Sequence, residues 1–320
     1  MSVVTQNRPP AVASPSPKSR SRGRRQRNTF VAVLMAPSAI GFVVFFGYPL
    51  VQTVYLSFTH YNLISAPTWA GLDNFRYMLV DAQFWPAVRN TLWMLAILVP
   101  LHVGLSMLIA VLIMGVKRGR TALRVVFYFP SLVPPVAAGL AFVYLLNPGT
   151  GPVNKVLAAV GVPAPQWFES PTWSKPALIL LSLWGVGTFV VIFYTSLLDV
   201  PLEQYEAASI DGAGAARRFW HITLPTLRPV ILFASITGVI DVLQYFAQPY
   251  VVAQVLSGGT ATTAGTLGYP QDSTMFYSVL LYKQGFQNFN LGYASALASL
   301  LFVVSIAVAA LFVRRARTWF

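Results

Sequence analysis

An all-α, polytopic membrane protein with six transmembrane helices is the fold class this sequence predicts, and three observations carry the prediction. Of the 320 residues, 56% are apolar and only 10% are charged, and the mean hydropathy is +0.62, far from the composition of a soluble domain. Six apolar runs each exceed the roughly 20 residues that a helix needs to cross about 30 Å of hydrocarbon. They are continuous rather than alternating, so helices satisfy the backbone where barrel strands would show a period of two. Lys and Arg, finally, concentrate in every second segment between the runs. The chain has no cysteine, which removes disulfide frameworks, thiolate metal sites, thiol nucleophiles and c-type haem attachment together.

Residues 1–29 form a basic, Pro/Ser-rich leader with Lys18, Arg20, Arg22, Arg24, Arg25 and Arg27, expected to be a disordered cytoplasmic tail. The run that follows, residues 30–58, is too long for a signal peptide and has no small-x-small cleavage site after it, so an uncleaved anchor is expected. The further spans are 91–116, 125–146, 176–198, 229–252 and 284–313; together they make a six-helix domain over 30–313. Pro130, Pro134 and Pro135 remove helix hydrogen bonds and should kink or interrupt the third. The cytoplasmic segments are the tail, the Lys117–Arg124 turn, the loop 199–228 and the C-terminal tail 314–320; they hold 17 of the 22 Lys and Arg. The positive-inside rule therefore puts both termini in the cytoplasm. The net charge of +13 is then mostly topology, and no nucleic-acid partner is needed. External aromatics, among them Trp69, Phe75, Tyr77, Phe84, Trp85, Trp167, Phe168 and Trp173, fit an interfacial belt or a docking surface for an external protein.

The loop 199–228 is longer than topology requires and holds four of the nine acids. Pro201 followed by Glu203 and Glu206 and good helix formers predicts a short helix. Asp211-Gly212 predicts a turn, and Ala213 to Ile222 a second short segment ending at Leu224-Pro225.

At these residues the chain resembles a known family. Glu206-Ala207-Ala208, Gly212, Ile222 and Leu224-Pro225, at their spacing, resemble the EAA loop of the inner-membrane permease subunits of binding-protein-dependent ABC importers. Gly71-Leu72-Asp73-Asn74-Phe75, Phe84-Trp85, Asn90-Thr91 and Gly292-Tyr293-Ala294-Ser295-Ala296 resemble the carbohydrate-uptake branch. One departure is Thr260, where the family usually has proline after two glycines. The resemblance implies a MetI-like (type I) transmembrane domain and a bacterial plasma-membrane location. It implies a second homologous six-helix subunit, two ATPase subunits and an extracytoplasmic solute-binding protein as partners. Glu206, Ala207, Ala208, Asp211, Gly212, Leu224 and Pro225 would then couple the chain to the ATPase. The sequence contains no Gly-x-x-x-x-Gly-Lys-[Ser/Thr] phosphate loop, so ATP and Mg belong to the partner and this chain is expected to bind no cofactor of its own and to have no catalytic residues.

Asp241 is the single acid within a span and should face protein or water. On one helix, Asp241, Gln244, Tyr245 and Gln248 would share a stripe of donors, acceptors and an aromatic face suited to sugar hydroxyls, or to an interhelical clamp. A lone His102 in the second span gets no role, and His60, His102 and His221 are too scattered for a metal site or an intramembrane enzyme. The expected cargo is a sugar, oligosaccharide, polyol or glycerol-phosphate; the alternatives are a non-carbohydrate solute, or a proton-coupled secondary carrier titrating Asp241 and His102.

Overall fold

The computed structural model describes residues 17–258 and 266–316, which fall into two compact units that meet in sequence at Thr53/Val54. The first unit is helical: α1 (Pro17–Phe42), a π-helical turn Val43–Gly47, and the start of α2 (Tyr48–Leu56). The helix therefore begins at Pro17, inside the segment read as a disordered tail; residues 1–16 lie outside the described residues. Arg and Gln are good helix formers, and extending a helix already nucleated by an apolar span costs little.

The second unit begins with the end of α2 and continues into a two-residue antiparallel ladder, β1 (Thr59–His60) on β2 (Thr68–Trp69), with Thr59 opposite Trp69. Then come α3 (Asp73–Val80), α4 (Phe84–Gly115), α5 (Arg120–Tyr128), α6 (Pro135–Leu145), α7 (Pro152–Ala159), α8 (Ser174–Trp184) and α9 (Gly187–Leu198). Three short helices follow, α10 (Leu202–Ile210), α11 (Ala215–Arg218) and α12 (Leu224–Thr226). The remainder is α13 (Arg228–Leu243), α14 (Ala247–Leu256), α15 (Tyr277–Tyr282) and α16 (Leu291–Ala316). In the bundle α4 packs on α9 and α13, α14 on α6, and α13 on α16; Met94, Leu178, Leu280 and Leu297 are among the fully buried side chains.

Among the described residues four helices are long and apolar enough to cross a membrane, and six spans result when two bent pairs are each taken as one. The third span breaks at its prolines: α5 and the 3-10 turn Phe129–Leu132 meet α6 at 96°. The fourth bends by 48° between α8 and α9. The fifth, read as one helix over 229–252, is interrupted at Gln244–Phe246. The sixth helix starts at Leu291 rather than at 284, because Lys283–Gln287 forms a π-helical turn ending in Asn288.

The passages that resembled the carbohydrate branch act here as braces. Gly71 turns at φ +58°, and buried Asn74 donates from Nδ2 to the Ser57 and Thr59 carbonyls, both at 2.9 Å. Asn90 Nδ2 donates to the carbonyls of Asp272 (2.8 Å) and Met275 (3.0 Å), while Thr91 Oγ1 accepts from the Tyr277 amide at 3.0 Å. Tyr293 is fully buried and its hydroxyl donates to Asp81 Oδ2 at 2.8 Å. Of the external aromatics, Trp167 and Phe168 are buried, the first donating to Asn154 Oδ1 at 2.7 Å; Trp69 and Trp85 stay exposed.

The close approach of α9 to α5 depends on Gly187, where a Cβ would run into the Phe127 carbonyl. Since overpacking costs about 1–3 kcal/mol, Gly187→Ala should lower the thermal unfolding temperature of the purified protein in detergent. An unchanged melting curve would show that α5 and α9 can separate freely there.

Candidate functional site

The interruptions in the third, fourth and fifth spans converge. Pro130, Ser131 and Val133 from the first, Ser182 and Gly185 from the second, and Gln244, Tyr245 and Phe246 from the third line one cavity of about 440 Å³. Leu98 and His102 of α4 close another side. Irregular backbone at membrane depth leaves amides and carbonyls without helical partners, and it is tolerated where protein or a water-filled cavity receives them. The breaks and the cavity thus explain each other.

Asp241, Gln244, Tyr245 and Gln248 all line this cavity, but not as one helical stripe. Gln244 ends α13 at φ −101°, ψ 15°, and Gln248 lies on the next helix. The four residues also divide in character. Tyr245 is buried, its hydroxyl 3.0 Å from Ser182 Oγ, with its ring edge-on to Phe276 at 5.4 Å. It ties the α13–α14 junction to α8. Asp241 and Gln244 are exposed to the cavity and Gln248 is half-buried, so their hydrogen-bonding groups are available to a solute. His102, given no role from sequence, belongs to the wall; its Nε2 is buried without a hydrogen-bond partner among the described residues. Ser131, Ser182 and Phe246 were also missed; Pro130, Gly185 with Gly187, and Pro249 near them are the local signals that could have marked the breaks.

The loop 199–228 folds as a compact knob. Helix α10 ends in a left-handed Gly212 (φ +75°), with the Gly212 amide on the Ser209 carbonyl (3.1 Å) and the Ala213 amide on the Ala208 carbonyl (2.8 Å). That pair of bonds is the Schellman C-cap, and it needs a residue free to take positive φ. The two arms are stapled by Arg218 Nη1 donating to Ser209 Oγ (2.7 Å) and by Tyr205 Oη against Thr223 Oγ1 (2.8 Å). Glu206, Ala207, Asp211 and Gly212 are exposed; Ala208, Leu224 and Pro225 are half-buried against the knob itself. Ala208, Asp211, Arg217 and His221 border a cleft of about 290 Å³ between its arms. Ile210, 88% exposed, and Trp220, 63% exposed, are large apolar side chains on the same knob. Sequence reading passed over both.

The stretch beginning at Gly259-Thr260, where the sequence departs from the family pattern, lies outside the described residues as far as residue 265. Its continuation is ordered by Gln83 Nε2 on Asp272 Oδ1 (3.0 Å) and Lys283 Nζ on Gln83 Oε1 (2.8 Å).

The family profile for the binding-protein-dependent transport system inner membrane component matches residues 102–318. A probable ABC transporter permease protein, YesP of Bacillus subtilis, is 34% identical over 287 residues, covering 89% of each chain. The sulfoquinovosyl glycerol transport system permease protein SmoG of Agrobacterium fabrum is 33% identical over 290 residues, covering 89% of this chain and 90% of its own. Among solved structures, a bacterial ABC transporter involved in the import of the acidic polysaccharide alginate has a similar fold, with a TM-score of 0.80 at 22% identity over 93% of this chain and 99% of that one.

Proposed function

The chain belongs to the inner membrane components of binding-protein-dependent transport systems, and from that membership we propose that it forms one half of the pore of an ATP-driven importer for a sugar, oligosaccharide or related polyol solute. The observation that carries the proposal is the cavity at the meeting of three broken spans, with Asp241, Gln244 and Gln248 on one wall and apolar side chains such as Leu98 and Phe246 around them. Paired donors and acceptors within an apolar lining are what a polyhydroxylated solute needs. The similarity to a permease for sulfoquinovosyl glycerol supports the same class of cargo.

In this reading a second six-helix subunit, homologous to this one, completes the path. An extracytoplasmic binding protein delivers the solute, and two ATPase subunits hold ATP and Mg and receive the knob 199–228. Both termini face the cytoplasm, on the side favoured by the Lys and Arg distribution. The chain has no chemical step of its own; it converts closure of the ATPase into a change of access to the cavity.

Two measurements test this division of labour. The purified chain alone should neither hydrolyse ATP nor move a radiolabelled sugar into proteoliposomes, whereas the complex assembled with a second permease, the ATPase and the binding protein should do both. ATP turnover by the lone chain, or sugar uptake without its partners, would refute it.

A further inference from the structure

A separate cavity of about 380 Å³ lies where α4 and α9 end and the knob 199–228 begins. Val111 and Met114 of α4, Leu197 of α9, Leu202 and Tyr205 of α10, and Arg218 form its wall, and none of them borders the solute cavity. Helix α10 turns one stripe to it: Leu202 and Tyr205 stand at i and i+3, whereas Glu203, Glu206 and Ile210 share the neighbouring face. Arg218 is the charged residue of this wall. Its guanidinium is half-buried and carries five donors, one of which goes to Ser209 Oγ at 2.7 Å; among the described residues no carboxylate pairs with it. The positive-inside rule accounts for a cation in a loop but not for one set into an apolar wall. Exposed Lys117 and Arg118 follow Gly115, the lining residue that ends α4. The acids next along the chain to the wall, Asp199 and Glu203, are exposed and form no ion pair with these cations.

We infer that this cavity seats an anionic phospholipid, with an acyl chain against Val111, Met114, Leu197 and Leu202 and the phosphate on Arg218, Lys117 and Arg118 lying at the rim. The ends of two spans put the cavity at the boundary between headgroups and acyl chains, in the cytoplasmic leaflet on the topology proposed above. A half-buried guanidinium without a counter-ion is costly, and its planar fork matches a phosphate. Charge and apolar surface together select the ligand. A soluble anion would answer Arg218 and leave the apolar wall uncovered, and a zwitterionic lipid would bring a compensating cation to a site that already has three. Basic pockets at the cytoplasmic ends of spans hold anionic headgroups for this reason. A lipid seated here touches α4, α9 and α10 at once and so braces the knob against the spans. The inference draws nothing from the cargo reading.

The test measures lipid retained by the full purified chain in detergent, by native mass spectrometry, with phosphatidylglycerol and phosphatidylcholine of identical acyl chains as probes. The wild type should retain phosphatidylglycerol preferentially, and Arg218→Gln should lower that retention about fivefold or more, the size expected for one cation near a membrane surface. Two controls separate the site from bulk charge and from the knob's own staple. Arg89→Gln removes an exposed cation near the other end of α4 and should be silent, and Ser209→Ala breaks the staple while keeping the guanidinium and should retain the lipid. Val111→Phe fills the cavity without touching a charge and should lower retention as Arg218→Gln does. It decides the matter even where Arg218→Gln loosens the knob. Excess inorganic phosphate should leave the bound lipid in place. Equal retention of the two lipids by the wild type overturns the site, as does an equal loss in Arg89→Gln and Arg218→Gln. Wild-type retention by Val111→Phe overturns it as well, since the lipid would then lie outside the cavity, and displacement by inorganic phosphate would make this a site for a free anion.

Discussion

Gly212→Val in the assembled transporter is expected to abolish most uptake and most binding-protein-stimulated ATP hydrolysis together. The cause is backbone strain, because a Cβ at Gly212 would meet nothing within 4 Å while φ is +75°. A β-branched residue held at positive φ costs about 1–3 kcal/mol, and the chain can escape that cost by giving up the two bonds of the C-cap. The knob would then lose the fixed angle between α10 and α11, and a loosened knob absorbs displacement that a rigid one transmits. Gly214 supplies the control. It also has open space, but its φ is −67°, so Gly214→Ala should be silent. Glu206→Lys, which reverses a charge at an exposed position of α10, should give the same joint loss with an intact fold. Since the chain has no native cysteine, Ile210→Cys offers a direct proximity test: crosslinks to the ATPase subunit are expected, and crosslinks only to the external binding protein would invert the topology.

The apolar runs were legible because lipid demands length and continuity, and the Pro130–Pro135 break because proline removes a donor. The other two interruptions were not. Each has a weak local mark, Gly185 and Gly187 in the one and Pro249, which cannot donate to the Tyr245 carbonyl, after the other, but transmembrane helices tolerate both residues, so neither mark alone fixes a break. The knob 199–228 was legible in outline, since proline, acids and Asp-Gly mark its helices and turn. The exposure of Ile210 and Trp220 was not, because one isoleucine or tryptophan in a loop says nothing until its surroundings are known. Asn74, Asn90 and Tyr293 show the converse. They stood out as family markers, yet their hydrogen bonds to Ser57, Asp272 and Asp81 hold loops to helices, so recognition of a pattern did not by itself reveal its physical role.

Replacing Asp241 should have the largest effect on solute handling, and the structure sets it against Tyr245, its neighbour on the same wall. A hydrogen bond to a charged group contributes about 1.5–3 kcal/mol, and each 1.4 kcal/mol is tenfold in affinity, so Asp241→Asn should raise the KM for uptake by roughly ten- to a hundredfold. Gln244→Ala and Gln248→Ala remove neutral partners and should each raise KM by about two- to tenfold, in keeping with about 0.5–1.5 kcal/mol for such bonds. None of the three substitutions should alter the melting temperature much, for their polar groups face the cavity rather than a packed partner. Tyr245→Phe should behave in the opposite way. It deletes the hydroxyl that meets Ser182 at 3.0 Å, while Ser182 keeps its bond to the Leu178 carbonyl at 2.9 Å, so about 1 kcal/mol of stability should be lost while KM stays within twofold. Uptake kinetics and thermal unfolding measured on the same four variants separate the roles. If Tyr245→Phe moves KM and Asp241→Asn moves only the melting temperature, then the acid is the clamp, the phenol faces the solute, and the polar wall assigned here is the wrong one.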